Sequence, residues 1–205
     1  MQQESKRRTN RERTEAMRAQ LIAAGRALFT DKGYAETGTP EIVAAAGVTR
    51  GALYHHFADK QALFRAVVVE EATRVAEEIE RGAPSDIPVR DALIAGGEAF
   101  LEAMRAPGRT RLLLLDGPAV LGRADMDEID ATVGGTRSLR EGLALAMAAG
   151  AIRRMPLEAL TLLLSSAYDR AALAVDAGAP ARPFLEILTA FIDGLARRSE
   201  GGPAL

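Results

Sequence analysis

The chain has no cysteine, no tryptophan and only two histidines, and each shortage removes a class of function. Without cysteine there is neither a disulfide framework nor a thiolate metal site. The two histidines, His55 and His56, are adjacent, and no third ligand or paired acid lies close in sequence, so no metal and no cofactor is expected. No nucleophile with its base, no phosphate loop and no metal-ligand spacing is present, which argues against an enzyme. No apolar run approaches the roughly eighteen residues of a membrane span, and the polar, basic N-terminus has no apolar stretch behind it, so a cytoplasmic protein is expected. Alternating runs of β-branched and aromatic residues are missing as well, which leaves little room for strands.

What remains is helical. At 205 residues and 48% hydrophobic the chain can bury a core. Nearly every segment between turn signals repeats its apolar residues at spacings of three and four. The spacing predicts an all-α fold of about nine helices. The first runs over about 12–31, with Met17, Leu21, Ile22, Ala24, Leu28 and Phe29 as its apolar stripe. A short second helix follows Thr37-Gly38-Thr39-Pro40 and stops at Gly47. A third covers about 50–57, and a fourth opens after Asp59, a suitable N-cap. Further patterns span about 88–106, 109–121, 126–149, 156–177 and 181–198. Pro/Gly breaks separate the later patterns, and the chain reads as a head over 1–58, a body over 59–199 and a tail over 200–205 in which Gly201-Gly202-Pro203 should fray.

Net charge is only -2, yet it is unevenly distributed. The first sixty residues hold ten Lys or Arg against seven Asp or Glu, and the rest sixteen against twenty-one. A basic end on an acidic protein concentrates attraction for phosphates in one place. The run Lys6-Arg7-Arg8 with Arg11 and Arg13 reads either as a solvated tail or as an arm for the minor groove.

Thr37 to Phe57 reads TGTPEIVAAAGVTRGALYHHF, two short helices pivoting on Gly47-Val48 in the manner of a helix-turn-helix. Ile42, Val43 and Leu53 can pack inward, and Gly47 supplies the backbone freedom of the turn. The second helix of such a pair enters the major groove, which brings Thr49, Arg50, Gly51 and Ala52 to base edges, with Arg50 suited to a guanine. Tyr54, His55 and Lys60, with the hydroxyls of Thr37 and Thr39, are candidate phosphate donors. The bland alternative for Tyr54 and Phe57 is a place in the core of a three-helix bundle.

Across about residues 23–69 the sequence resembles the tetracycline-repressor (TetR) family of bacterial regulators. Phe29, Gly33-Tyr34, Thr37, Ile42, Ala44, Ala46-Gly47-Val48, Leu53-Tyr54-His55-His56-Phe57, Lys60 and Leu63-Phe64 carry the resemblance. It implies a three-helix DNA-binding head, a fourth helix acting as a lever, and a helical body with a ligand cavity that dimerises through its last two long helices. It also implies that Thr39, Arg50, Tyr54, His55 and Lys60 touch DNA. Gly38, where a hydroxyl residue is usual, and Pro40, where a polar one is, depart from the family pattern.

In the body, Phe100, Met104, Asp116 and Tyr168 stand among apolar helical positions, the composition of an apolar pocket with few polar anchors. Broad apolar faces on the last two helices, Leu160, Leu164, Ala167 and Ala171 on one and Phe184, Leu188, Phe191 and Ile192 on the other, suit a four-helix homodimer interface. The expectation is a dimeric repressor of a palindromic operator, released by a hydrophobic or amphipathic small-molecule effector. Its rivals are an activator or ligand-independent DNA-binding protein and, remotely, a small-molecule enzyme.

Overall fold

A computed structural model describes residues 2–84 and 86–196, with side chains from residue 11 onward. The tail expected over 200–205 and the side chains of Lys6, Arg7 and Arg8 lie outside the described residues. Within them the chain forms ten α-helices, one π-helical turn and no strand beyond a single bridge between Ile152 and Ala196. The helices are α1 (Gln2–Lys32), α2 (Thr39–Ala46), α3 (Arg50–His56), α4 (Lys60–Gly82), α5 (Val89–Ala103), α6 (Gly117–Leu121), α7 (Arg123–Val133), α8 (Gly135–Ala148), α9 (Leu157–Asp176) and α10 (Ala181–Gly194). No helix among the described residues is long and apolar enough to cross a membrane.

The expected single helix over 126–149 is two helices. Gly134 is extended (φ -99°, ψ -164°) and serves as N-cap of α8. The Asp130 carboxylate, from the end of α7, accepts from the Thr136 hydroxyl in the first turn of α8. This contact joins the end of α7 to the start of α8 across the break. The segment 109–121 also departs from regular helix. Pro118 has no N–H to return to the carbonyl four residues back, and just before it the chain widens into the π-turn Arg111–Asp116, closed by the Gly117 N–H donating to the Leu112 carbonyl.

The chain divides into two compact units. The first takes in the chain up to Glu71 together with Pro107–Met126, and the second Ala72–Ala106 together with the chain from Asp127. In the first unit Leu21, Phe29, Ile42, Leu53, Leu63 and Phe64 are wholly buried. Phe29, Tyr34 and Phe64 form an aromatic cluster with ring centroids 4.9–5.8 Å apart, a geometry that adds to their area burial. Buried against this core, Glu71 accepts from Arg26 at 2.5 Å and from Arg109 at 2.6 Å. Residues 107–126 join the unit through further polar contacts. Asp116 accepts the Tyr34 N–H at 3.1 Å, Arg111 donates to the Lys32 carbonyl at 3.1 Å, and Gln61 donates to the Val120 carbonyl at 2.9 Å. A side chain at Gly33, whose φ is +86°, would collide with the Arg111 guanidinium, so this residue both turns the chain out of α1 and admits the contact.

The second unit centres on Leu93, Leu143, Ala146, Ile152, Leu160, Leu164 and Ile192, drawn from α5, α8, α9, α10 and the loop after α8. Ile152 is held there as the Arg153 N–H donates to the Leu195 carbonyl at 2.9 Å.

Candidate nucleic-acid interface and ligand cavity

Helix α3 is presented by its neighbours. Gly47 adopts the left-handed conformation (φ 66°, ψ 29°) and closes α2, while the Val48 N–H donates to the Val43 carbonyl at 3.0 Å. Thr49 then caps α3, its hydroxyl accepting the Ala52 N–H at 3.2 Å. Leu53 and Phe57 anchor the inner face of the helix in the core. The opposite face carries Thr49, Arg50, Gly51, Tyr54 and His55 into solvent, with Ala52 half-buried between the two.

Three of these candidates form one assembly. The Arg50 guanidinium lies 5.5 Å from the centre of the Tyr54 ring, within the range of a cation–π contact. The neighbouring Arg50 and Thr39 side chains hold the Tyr54 phenol below its ordinary range. Thr39 is the first residue of α2, so the tyrosine lies near both helices, with the arginine against its ring. His55 is exposed beside it, and His56 is half-buried, its imidazole pushed below the ordinary histidine range by burial and by the neighbouring His55 and Arg18.

Two expected phosphate donors are otherwise engaged. Thr37 is 1% exposed and its hydroxyl donates to the Gly33 carbonyl at 2.7 Å, so it belongs to the turn after α1 and not to the surface. Lys60 donates to the carbonyls of Tyr34 and Thr37 at 2.9 and 3.0 Å and sits 4.0 Å above the Tyr34 ring. The departure at Gly38 is compensated locally. With no hydroxyl available, the Glu41 carboxylate takes the Gly38 N–H at 3.1 Å and pairs with Lys32 at 2.6 Å. Pro40 falls in the first turn, where a missing N–H costs nothing.

In the second unit a cavity of about 420 Å³ opens between the second half of α4, α5, α8 and α9. Phe100 and Tyr168 line it, their rings edge to face with centroids 5.9 Å apart. Met104 and Asp116 do not. Met104 is buried beside Leu101 and Ala172, and Asp116 is held in the first unit by the Tyr34 N–H and Arg111. Sequence reasoning missed Gly97, Asp130 and Ser138, which also line the cavity. A weak signal existed for Ser138, which shares the i, i+4, i+7 face of α8 with Gly142 and Leu145. Gly97 is needed where it is, because a Cβ there would overlap the Tyr168 hydroxyl.

The expected dimer face needs the largest correction. Leu160, Leu164, Ala171, Leu188 and Ile192 are at most 8% exposed, spent on the core of their own unit. Ala167 and Phe184 are half-buried, and of the expected set only Phe191 stands well out. The apolar side chains that α9 and α10 do expose are Leu162, Leu163, Ile187 and Phe191, at 50–71%.

Comparison with known proteins bears on both units. Residues 21–67 match the model of bacterial regulatory proteins of the tetR family, and residues 90–195 match the tetracyclin repressor-like C-terminal domain. The A-factor receptor protein of Streptomyces griseus is 38% identical over 120 residues, 55% of this chain and 40% of the receptor. The HTH-type transcriptional activator FasR of Mycolicibacterium smegmatis is 33% identical over 96 residues, 47% of this chain and 44% of FasR. The chain thus spans less than half the length of these curated relatives. A TetR-family transcriptional regulator from Pectobacterium atrosepticum, solved by crystallography, superposes with a TM-score of 0.72 at 28% identity over 92% of this chain and 98% of its own.

Proposed function

Because the chain belongs to the TetR family of bacterial regulatory proteins, we propose that it is a cytoplasmic, homodimeric transcriptional repressor whose operator affinity is lowered by a small molecule. The observation that carries this reading is the exposed N-terminal face of α3, with Arg50 set against the Tyr54 ring. An arginine pre-set in this way loses little side-chain freedom on pairing with a guanine edge. Thr49 and Gly51 flank it without obstructing approach to the groove, and His55 and Thr39 reach toward the backbone.

Leu162, Leu163, Ile187 and Phe191 form the dimer face in this reading, since an exposed apolar surface on two long helices is covered by a second copy at low cost. Two copies then set their α3 helices about 34–36 Å apart, one turn of DNA. The cavity in the second unit receives the effector, and α4, whose residues belong to both units, transmits its presence. Such a molecule acts only by binding the DNA-incompetent arrangement more tightly, and a shift from 99:1 to 1:99 takes about 5.5 kcal/mol of difference.

Selection of bound duplexes from random DNA by the purified protein tests the reading. Recovery of a two-fold symmetric site, blurred at one position per half-site by Arg50→Ala, is the expected result. Recovery of nothing above the salt-sensitive background contradicts it. A reporter fused to the recovered site then separates repression from activation, the activity named for FasR.

A further inference from the structure

The cavity of the second unit carries a chemical bias of its own. Its walls are largely apolar, with Ile79, Leu93, Phe100 and Leu139 among them, yet two of its lining residues bring hydroxyls that have no hydrogen-bond partner. The Ser138 Oγ is buried and unpartnered. Tyr168 is 6% exposed and its hydroxyl makes no hydrogen bond within the described residues. A buried polar group without a partner costs free energy, so the Ser138 hydroxyl, beside the open Tyr168 hydroxyl on the same cavity wall, is one that a guest would complete.

Charge narrows the choice of guest. Four carboxylates, those of Glu80, Asp130, Glu141 and Asp169, line the cavity, and no Lys, Arg or His does. Each carboxylate is already engaged. Arg137 pairs with Glu80 at 2.7 Å and Glu141 at 3.7 Å, Thr136 donates to Asp130, and Asp169 has a partner of its own. An anionic guest would meet four carboxylates and no cation in the lining, while a cationic guest would compete with pairs already formed.

We infer that the cavity takes an uncharged, mostly apolar, flat molecule carrying a hydrogen-bonding oxygen, anchored by the hydroxyls of Tyr168 and Ser138. Burial pushes the Tyr168 phenol up to about 12, so at neutral pH it is a donor, ready for a carbonyl, ether or hydroxyl oxygen. The edge-to-face pair of Phe100 and Tyr168 supplies an aromatic wall for a planar guest. At about 420 Å³ the space falls within the roughly 300–1,000 Å³ of small-molecule sites. The inference rests on reading this cavity as the effector site.

Matched naphthalene probes test it on the full chain, and the absence of tryptophan leaves their fluorescence clear. We expect 2-naphthol to bind saturably and 2-naphthoate to bind at least about tenfold more weakly, its carboxylate having no counter-charge. Tyr168→Phe and Ser138→Ala should each weaken 2-naphthol roughly 3- to 10-fold while leaving naphthalene itself unchanged. The inference is overturned by the absence of saturable 2-naphthol binding, by 2-naphthoate or naphthylmethylammonium binding as tightly, or by Tyr168→Phe weakening naphthol and naphthalene equally. Repeating the titration with the selected duplex present separates the two readings. Naphthol bound with DNA affinity unchanged supports the cavity chemistry and refutes release by ligand. No naphthol binding by a protein that still binds the duplex overturns the cavity chemistry and leaves the DNA reading standing.

Discussion

In the first unit the most deeply buried charge, Glu71, meets two guanidiniums, whereas in the second unit the hydroxyls of Tyr168 and Ser138 meet no partner. Under the proposed function the contrast follows from what each unit would present. A head that offers a fixed set of side chains to DNA gains from an interior in which every charge is paired, because its surface then inherits that rigidity. A body that accepts a guest gains from donors left open, because the guest completes them. Lys60 belongs to the first pattern. Its ammonium stitches the turn between α1 and α2 and so holds the helix-turn-helix from behind.

The comparison breaks most visibly at Glu71. Glu71→Ala removes the buried carboxylate that Arg26 and Arg109 share, and should destabilise the protein by about 3–5 kcal/mol in urea unfolding. Burial pushes this carboxyl up, but the hydrogen bonds and charges of the two arginines outweigh it and hold the group below its ordinary 4.5. A lowered folded-state pKa contributes stability that is fully present above the unfolded-state value and is lost as pH falls through the folded-state one. Wild-type stability should therefore drop in the acid range below about pH 4.5, and Glu71→Gln should lack that part of the decline.

A smaller effect separates structural from DNA-contacting lysine. Lys60→Met removes two charge-assisted hydrogen bonds, and a loss of about 1.5–3 kcal/mol is expected. The slope of log affinity against log salt should stay the same, whereas a phosphate contact would reduce it by about 0.9. In the body, Gly97→Ala forces a methyl against the Tyr168 hydroxyl and should cost about 1–3 kcal/mol while shrinking the cavity. Ser138→Ala sits at the other end of the scale. Removing an unpartnered buried hydroxyl should leave the unfolding midpoint unchanged or slightly raised, within about 1 kcal/mol, and a large loss there would end the contrast with Glu71.

The head was more legible in the sequence than the body, because its signals are local. Gly47, Pro40 and Asp59 mark turns and caps within a few residues of the helices they bound, and the stripe Leu21, Ile22 and Phe29 fixes the buried face of α1 at helical spacing. Even there, the sequence pattern ended the head near residue 58. The first unit instead reaches Glu71 and recruits 107–126, through contacts such as Asp116 to Tyr34 that span 82 positions and leave no periodic trace. A hint lay in α4, where Glu71 shares the apolar stripe of Phe64, Val67, Val68 and Val75, a charge that burial obliges to find a partner. In the body, periodicity identified apolar faces but not which face meets which. Leu160, Leu164, Leu188 and Ile192 looked free to bind a second copy and instead fill their own core. The π-turn was equally hidden, since the run Leu112 to Leu115 is apolar at every position and has no period to distort.

The central claim is that Arg50, set by Tyr54, reads bases and does not merely attract phosphate. Fluorescence anisotropy with the selected duplex and a scrambled one, at fixed salt, measures this directly for wild type and Arg50→Ala. The account predicts a loss of about 1–3 kcal/mol on the selected duplex and a far smaller one on the scrambled duplex, so that the specificity ratio collapses. Equal losses on both duplexes would make Arg50 a phosphate contact and contradict the account.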